Sequence, residues 1–197
     1  MPRKAAPTIA SHSKPRPGKP GRKGLEALFE KLGFTDYRWL DPADIVVAQW
    51  VRMKCLYGCR EYGRNASCPP NAPSVKDCEL FFKEYRRAVV FHFAKSVERP
   101  EDRHAWGRKV NLKLLKVEEE AFKAGFVKAF LLFFDSCGIC PGCTESRTAC
   151  KKPKLSRPTP DALAMDVYST VRKLGYPIEV LSNYGQEMNR YAFLLVD

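Results

Sequence analysis

Apolar residues recur at helical spacing in several parts of the chain. Leu25, Leu28, Phe29 and Leu32 share one face and predict a short amphipathic helix that ends at Gly33. A longer apolar stripe after Pro100 predicts a helix with Glu118, Glu119 and Glu120 across its more exposed side. The predicted helices cover residues 25–32, 74–87, 100–124 and 159–174.

Runs of apolar and β-branched residues predict strands between these helices. The run at 129–134 is apolar throughout, as expected for a central strand covered on both faces. The order of elements predicts an α/β or α+β fold, a single compact domain over residues 25–197. We expect a central mixed sheet, flanking helices and two cysteine-rich metal loops. The predicted strands cover residues 45–51, 88–94, 129–134, 178–181 and 191–196.

Charge is concentrated at the N-terminus. Residues 1–24 carry seven positive charges, five prolines and no acidic residue, so we expect a disordered basic tail. Such a tail either contacts RNA, DNA or an acidic protein, or is only solvated. The chain has no apolar run of membrane-spanning length and no hydrophobic signal segment, so the expected location is the cytoplasm, without a membrane partner.

The chain has eight cysteines, which fall into two groups of four. A reducing cytoplasm does not sustain disulfides, so metal binding is the simplest explanation for both groups. All eight are candidate metal and cofactor ligands. They are Cys55, Cys59, Cys68 and Cys78 in the first group, and Cys137, Cys140, Cys143 and Cys150 in the second.

The second group has the more diagnostic spacing. Cys137, Cys140 and Cys143 follow one another at three-residue intervals, which is the pattern of iron–sulfur ligation. A structural zinc site takes two cysteines from one short turn and two from elsewhere, so a third would be spare. Gly138 lets the loop fold inward around the metal. This spacing favours a [4Fe–4S] cluster over zinc, and over buried thiols without a metal.

The first group lies on a long segment, residues 55–74, that is rich in glycine and proline. A loop of this length is unusual in a compact domain unless something such as a metal orders it. Ser74 to Asp77 has the form of a capping box, which places Cys78 in the first turn of a helix, where the dipole favours a thiolate. The alternative for Cys78 is a core residue, because it shares a face with Phe81 and Phe82.

The remaining polar residues give weaker signals. Asp135, Arg60, Arg64 and Asn65 stand beside the thiols and could tune a cluster or bind substrate, with charge compensation as the simpler role. The three histidines, His12, His92 and His104, adjoin no cysteine group and are expected to be satisfied or solvated. Phosphate-binding, dinucleotide-binding and serine-hydrolase motifs are missing from the sequence.

Both cysteine regions together resemble a known family. The segments 62–74 (YGRNASCPPNAPS) and 137–143 (CGICPGC), followed by Arg157-Pro158 and residues 166–168 (DVY), resemble the predicted metal-binding proteins of domain of unknown function 2284. The resemblance covers roughly residues 40–197 and implies a metal or iron–sulfur protein, with no reaction attached. This chain has Lys151-Lys152-Pro153 after Cys150, where the family commonly has a Pro-Cys-Arg-x-Pro segment.

The leading hypothesis is an iron–sulfur protein with one or two [4Fe–4S] clusters that transfers electrons or supports cluster-dependent redox chemistry with a redox partner protein. An alternative is a zinc-stabilised module that binds nucleic acid through the tail and through Lys151, Lys152, Lys154 and Arg157. A third is a carrier that delivers its cluster to another protein.

Overall fold

The fold is built on a four-stranded sheet, seen in a computed structural model that describes residues 21–99, 101–183 and 185–197. Its strands are β1 (Tyr37–Leu40), β2 (Ala88–Lys95), β3 (Phe130–Leu132) and β4 (Met188–Leu195). They lie in the order β1, β2, β4, β3, and every neighbouring pair is antiparallel. The helices are α1 (Arg22–Lys31), α2 (Gln49–Gly58), α3 (Val75–Lys83), α4 (Asp102–Lys123) and α5 (Val167–Lys173).

Helices cover both faces of the sheet, so the domain has three layers. Val89 and Phe91 of β2 pack in one core cluster with residues of α1 and α4. Ala88 and Val90 point to the opposite face, as alternation along a strand requires, and pack with residues of α3 and α5. The predicted single compact α/β domain is confirmed, although the sheet is antiparallel rather than mixed.

Three predicted helices are confirmed with small shifts of their ends. The first begins at Arg22, so the last residues of the predicted tail belong to α1, and residues 1–20 lie outside the described part of the chain. Ser74 caps α3 by accepting a hydrogen bond from the Asp77 N–H, as the capping box predicts. Within the described residues, none of the helices is both long and apolar enough to cross a membrane.

The strand predicted at 45–51 is wrong. The β-branched residues Ile45, Val46 and Val47 lie in a segment that ends at Ala48, and α2 begins at Gln49. Their backbone groups are bonded to the connection before α5 instead of the sheet: the Ala48 N–H donates to the Ala164 carbonyl at 2.9 Å, and Val46 accepts from the Asp166 N–H at 2.7 Å. Local β propensity was therefore overridden by tertiary pairing.

The apolar run at 129–134 forms a short edge strand, not a central one. Only Phe130–Leu132 pair with β4, and among residues 21–197 as far as they are described, no strand lies on the other side. The outward backbone donors are nevertheless satisfied, because the Leu131 N–H donates to Glu118 Oε1 at 2.9 Å and the Phe133 N–H donates to the Pro158 carbonyl at 2.9 Å. The edge is therefore blocked against pairing with another chain.

Glu118 corrects the prediction that all three glutamates of α4 are exposed. Its side chain is buried and forms an ion pair with Arg157, with Oε2 2.7 Å from Nη2. The pair joins α4 to the segment that follows the second cysteine group.

The C-terminal third differs from the prediction in two places. The helix predicted at 159–174 is interrupted at Ala164, which has a φ of 57°, and α5 restarts with Asp166 as its N-cap. Residues 178–181 form no strand, and Val180 is exposed. β1, which the sequence reading missed, pairs with β2 at the other edge of the sheet.

Candidate metal centre

The second cysteine group lies on a loop that leaves the sheet after β3. Ile139, only 2% exposed, anchors this loop in the core cluster under α4, and Cys137 and Cys140 on either side of it are partly buried. Gly138 adopts a φ of 53°, a conformation that a side chain would strain. The backbone before Cys137 is also held, because buried Asn111 of α4 donates from Nδ2 to the Ser136 carbonyl at 3.3 Å.

All four thiols of this group line one cavity of about 210 Å³. Arg64 and Lys152 stand in its wall, and Glu61 is the acidic member of the lining. Two cations in this wall are placed to offset the negative charge of a metal–thiolate group. The structure thus brings together Cys137, Cys140, Cys143 and Cys150, although six residues separate the last two.

Two of these sulfurs form hydrogen bonds. The Ala66 N–H donates to Cys143 Sγ at 3.2 Å, and the Cys137 thiol donates to the Ser156 hydroxyl oxygen at 3.6 Å. A backbone N–H that donates to sulfur is a usual feature around a metal-bound cysteine. Asn65, a residue singled out in the sequence, places its Oδ1 3.9 Å from the same Cys143 Sγ.

Asn71 fastens the two cysteine-rich loops to each other. Its Nδ2 donates to the Asn65 carbonyl at 3.2 Å and to the Glu145 carbonyl at 2.7 Å. Its Oδ1 accepts from the Arg147 N–H at 3.2 Å. Sequence reasoning missed this role, since a lone asparagine after two prolines indicates only a turn.

Three thiols of the first group lie near one another. Cys55 is in the last turn of α2, Cys59 follows the helix, and Cys68 lies on the loop beyond. Burial raises the pKa of Cys68 to about 12, and the charges of Cys55, Cys59, Asp161 and Cys137 add to the effect. The pKa of Cys55 is raised by burial, and then by Asp161 and Cys59.

Cys78 is not brought to the other three. It is 1% exposed in the core cluster between α3 and the sheet, with Sγ 3.8 Å from the Pro73 carbonyl. Burial raises its pKa, and the charged groups that act on it are Arg52 and Asp77, not another thiol. This is the environment of a core cysteine, the alternative considered for it from the sequence.

The two groups are neighbours in space. The charge of Cys137 contributes to the raised pKa of Cys68. The hydrogen bond from the Ala66 N–H to Cys143 Sγ joins the first cysteine-rich loop to the second. The sequence separates these loops by more than sixty residues, so their adjacency comes from the fold. All eight cysteines are free thiols.

No three histidine, cysteine, aspartate or glutamate side chains in the described part of the chain surround a single ion position. The raised pKa values of Cys55 and Cys68 mean that metal binding there must release protons.

The other polar residues singled out in the sequence lie in different parts of the structure. Asp135 forms an ion pair with Arg103, 3.1 Å from Oδ2 to Nε, and Arg60 is exposed after α2. His92 is satisfied, as predicted, by Asp36 at 2.6 Å and Asn189 at 2.7 Å. His104 is exposed, and His12 lies outside the described residues.

A protein-family model covers almost the whole described domain. It matches residues 38–196 and describes its members as predicted metal-binding proteins (DUF2284). No curated protein and no solved structure matches the chain.

Proposed function

Because the chain belongs to the family of predicted metal-binding proteins, we propose that it binds a [4Fe–4S] cluster at Cys137, Cys140, Cys143 and Cys150 and transfers electrons through it. The observation that carries this proposal is the shared cavity lined by all four thiols. Four thiolates saturate the four irons of such a cluster, and a saturated cluster exchanges electrons rather than binding a substrate.

The chain's own residues fit the charge of such a group. A cluster with four thiolates is anionic, and Arg64 and Lys152 of the cavity wall offset that charge. The Ala66 N–H donates a hydrogen bond to Cys143 Sγ, which stabilises the more negative reduced state and raises the reduction potential.

The first group supports a second centre with an incomplete set of thiols. Cys55, Cys59 and Cys68 are the proposed ligands, and Cys78 is left out because it is buried elsewhere in the core. Three thiols leave a fourth position without a cysteine, and Asp161 is the carboxylate whose charge reaches both Cys55 and Cys68. An iron at such a position can accept an outside ligand, so cluster-dependent chemistry would occur here.

The zinc and nucleic-acid alternative is less well supported. Of the four basic residues it assigns to phosphate, Arg157 is engaged by the carboxylate of Glu118. Eight free thiols fit a reducing cytoplasm, which is where we place the protein.

Absorption spectra of protein purified without oxygen test the proposal. We expect a broad band at about 400 nm that bleaches on reduction, the mark of iron–thiolate charge transfer. The Cys140→Ala variant should lose much of this band, and the matched Cys78→Ala variant should retain it. A colourless protein containing zinc, or equal iron in the Cys140→Ala variant and the parent, would refute the proposal.

A further inference from the structure

The outward face of α2 is unusually apolar for a surface helix. Trp50, Met53 and Tyr57 follow one another at helical spacing and are 48%, 41% and 80% exposed. The outer face of a helix on a globular domain normally carries charged and polar residues. Three large apolar side chains in one exposed row mark a surface that another molecule covers.

The orientation of α2 is fixed by its inner face. Val51 is buried, and Arg52 donates from Nη2 to the Pro73 carbonyl at 2.9 Å and to the Ala162 carbonyl at 3.0 Å. Cys55 lies on this same inner side, in the last turn. The helix therefore cannot rotate its apolar row inward without breaking these bonds, and the exposure of the row belongs to the folded state.

The residue types on this face are those of a protein interface. Tryptophan, tyrosine and methionine are enriched at the centres of interfaces, where they supply large buried areas. Lys54 lies on the same face and Arg60 just beyond its end, while residues 45–60 contain no acidic side chain. The face is thus apolar and positive, which calls for a partner that is acidic around an apolar centre.

Other occupants fit less well. A second copy of this chain has a formal charge of +12, and residues 1–20 contain basic but no acidic residues, so both would repel the face. A nucleic acid strand needs a basic groove that follows its phosphates, whereas this is one convex helix with two cations.

The face also lies beside the first group of thiols. Cys55 is on the opposite side of the same helix, and a helix with its side chains is about 10–12 Å thick. Cys59, which is exposed, directly follows the helix. A protein docked on α2 would therefore sit within one helix diameter of the proposed second centre.

We infer that the outward face of α2 is the docking surface of an acidic electron-carrier protein. The identity of the partner as an electron carrier rests on the proposed function. The docking itself rests on the exposed row and the charge of the face.

Titration calorimetry tests this inference with two acidic proteins, a small [2Fe–2S] ferredoxin and a flavodoxin. A basic c-type cytochrome is the control protein of opposite charge. We expect micromolar binding of an acidic carrier, none of the cytochrome, and weaker binding at higher salt. The Trp50→Ala and Tyr57→Ala variants should each raise the Kd about tenfold or more. Lys54→Glu, at an exposed side chain, should also weaken binding. The control variant Val127→Ala, at a side chain before β3 that is 74% exposed, should leave binding unchanged.

Three results would overturn the inference: no binding of either acidic carrier, binding that the α2 variants leave unchanged, or self-association or RNA binding that the Trp50→Ala variant abolishes. Iron content is measured on the same samples. If the protein contains zinc and binds ferredoxin through α2, the docking surface is retained and the proposed function is refuted. If it contains an iron–sulfur cluster and binds neither carrier, the proposed function is retained and the docking surface is refuted.

Discussion

Removing the Asn71 side chain should loosen the metal site without touching a thiol. Asn71 is the link between the two cysteine-rich loops, with two hydrogen bonds donated to the carbonyls of Asn65 and Glu145 and one accepted from the Arg147 N–H. The Asn71→Ala variant loses all three. The Asn71→Asp variant keeps the shape and the acceptor but turns a carboxylate toward two carbonyls.

The magnitude follows from the number of bonds. Two of the three bonds, those to the Glu145 carbonyl and the Arg147 N–H, cross between the loops, and at about 1 kcal/mol net for each bond they are worth about 2 kcal/mol of loop association. Residues that orient metal ligands in this way typically change metal affinity about 10–100-fold when they are mutated. We therefore expect the cluster of the Asn71→Ala variant to be lost about 10–100 times faster, and that of Asn71→Asp at least as fast because of the added repulsion.

The assay is the anaerobic decay of the band at about 400 nm in the presence of an iron chelator. Asn183→Ala is the matched control, since Asn183 accepts its hydrogen bond from the Gly185 N–H outside the site. Cluster lifetimes in both Asn71 variants that equal those of the parent and the control would refute the reasoning, because the loops would then be held by the metal alone.

Further variants test single contacts. Ala66→Pro removes the N–H that donates to Cys143 and should lower the reduction potential of the cluster by about 20–60 mV. This range is the free energy of one hydrogen bond, converted at about 59 mV for 1.4 kcal/mol. The control variant Ala66→Gly keeps the N–H and should keep the potential of the parent. Glu118→Gln leaves the partly buried Arg157 without its countercharge and should cost about 2–4 kcal/mol in urea unfolding; no change in the midpoint would contradict the contribution assigned to this pair. In metal-free protein, burial raises the folded-state pKa of Cys68 from 9.0 to about 12. The contribution of this thiol to the free energy of unfolding should therefore be fully present below about pH 9 and be lost as the pH rises from 9 to 12. Cys68→Ala should remove this part of the pH dependence, and an unchanged profile would contradict it. Transfer of the cluster to an apo-ferredoxin, followed by absorbance, would reveal a carrier, which a site with four thiolates does not predict.

Local patterns were sufficient for the elements that bury their own apolar face. The long helix α4 could be predicted because its apolar residues recur at helical spacing, and strand β2 because its apolar run is buried on both faces of the sheet. The segment 45–51 could not, since its β-branched residues pair with the chain before α5, which lies more than one hundred residues away. The break at Ala164 likewise depends on a restart that Asp166 caps.

The candidate site was predictable in part for the same reason. Spacing alone identified the thiols of 137–143, because they lie on one short loop. The separation of Cys78 from its group was open, since helical position places it equally near metal or core. Asn71 and Ala66 could not be found, because an amide side chain and a backbone N–H acquire their roles only when the loops meet.

The central claim is that the thiols of the second group hold iron and sulfide together. The most direct measurement is the amount of iron and acid-labile sulfide per chain in protein purified without oxygen. One saturated [4Fe–4S] cluster requires about four of each, and a second centre raises both amounts. Iron and sulfide near zero, with stoichiometric zinc in their place, would contradict the account.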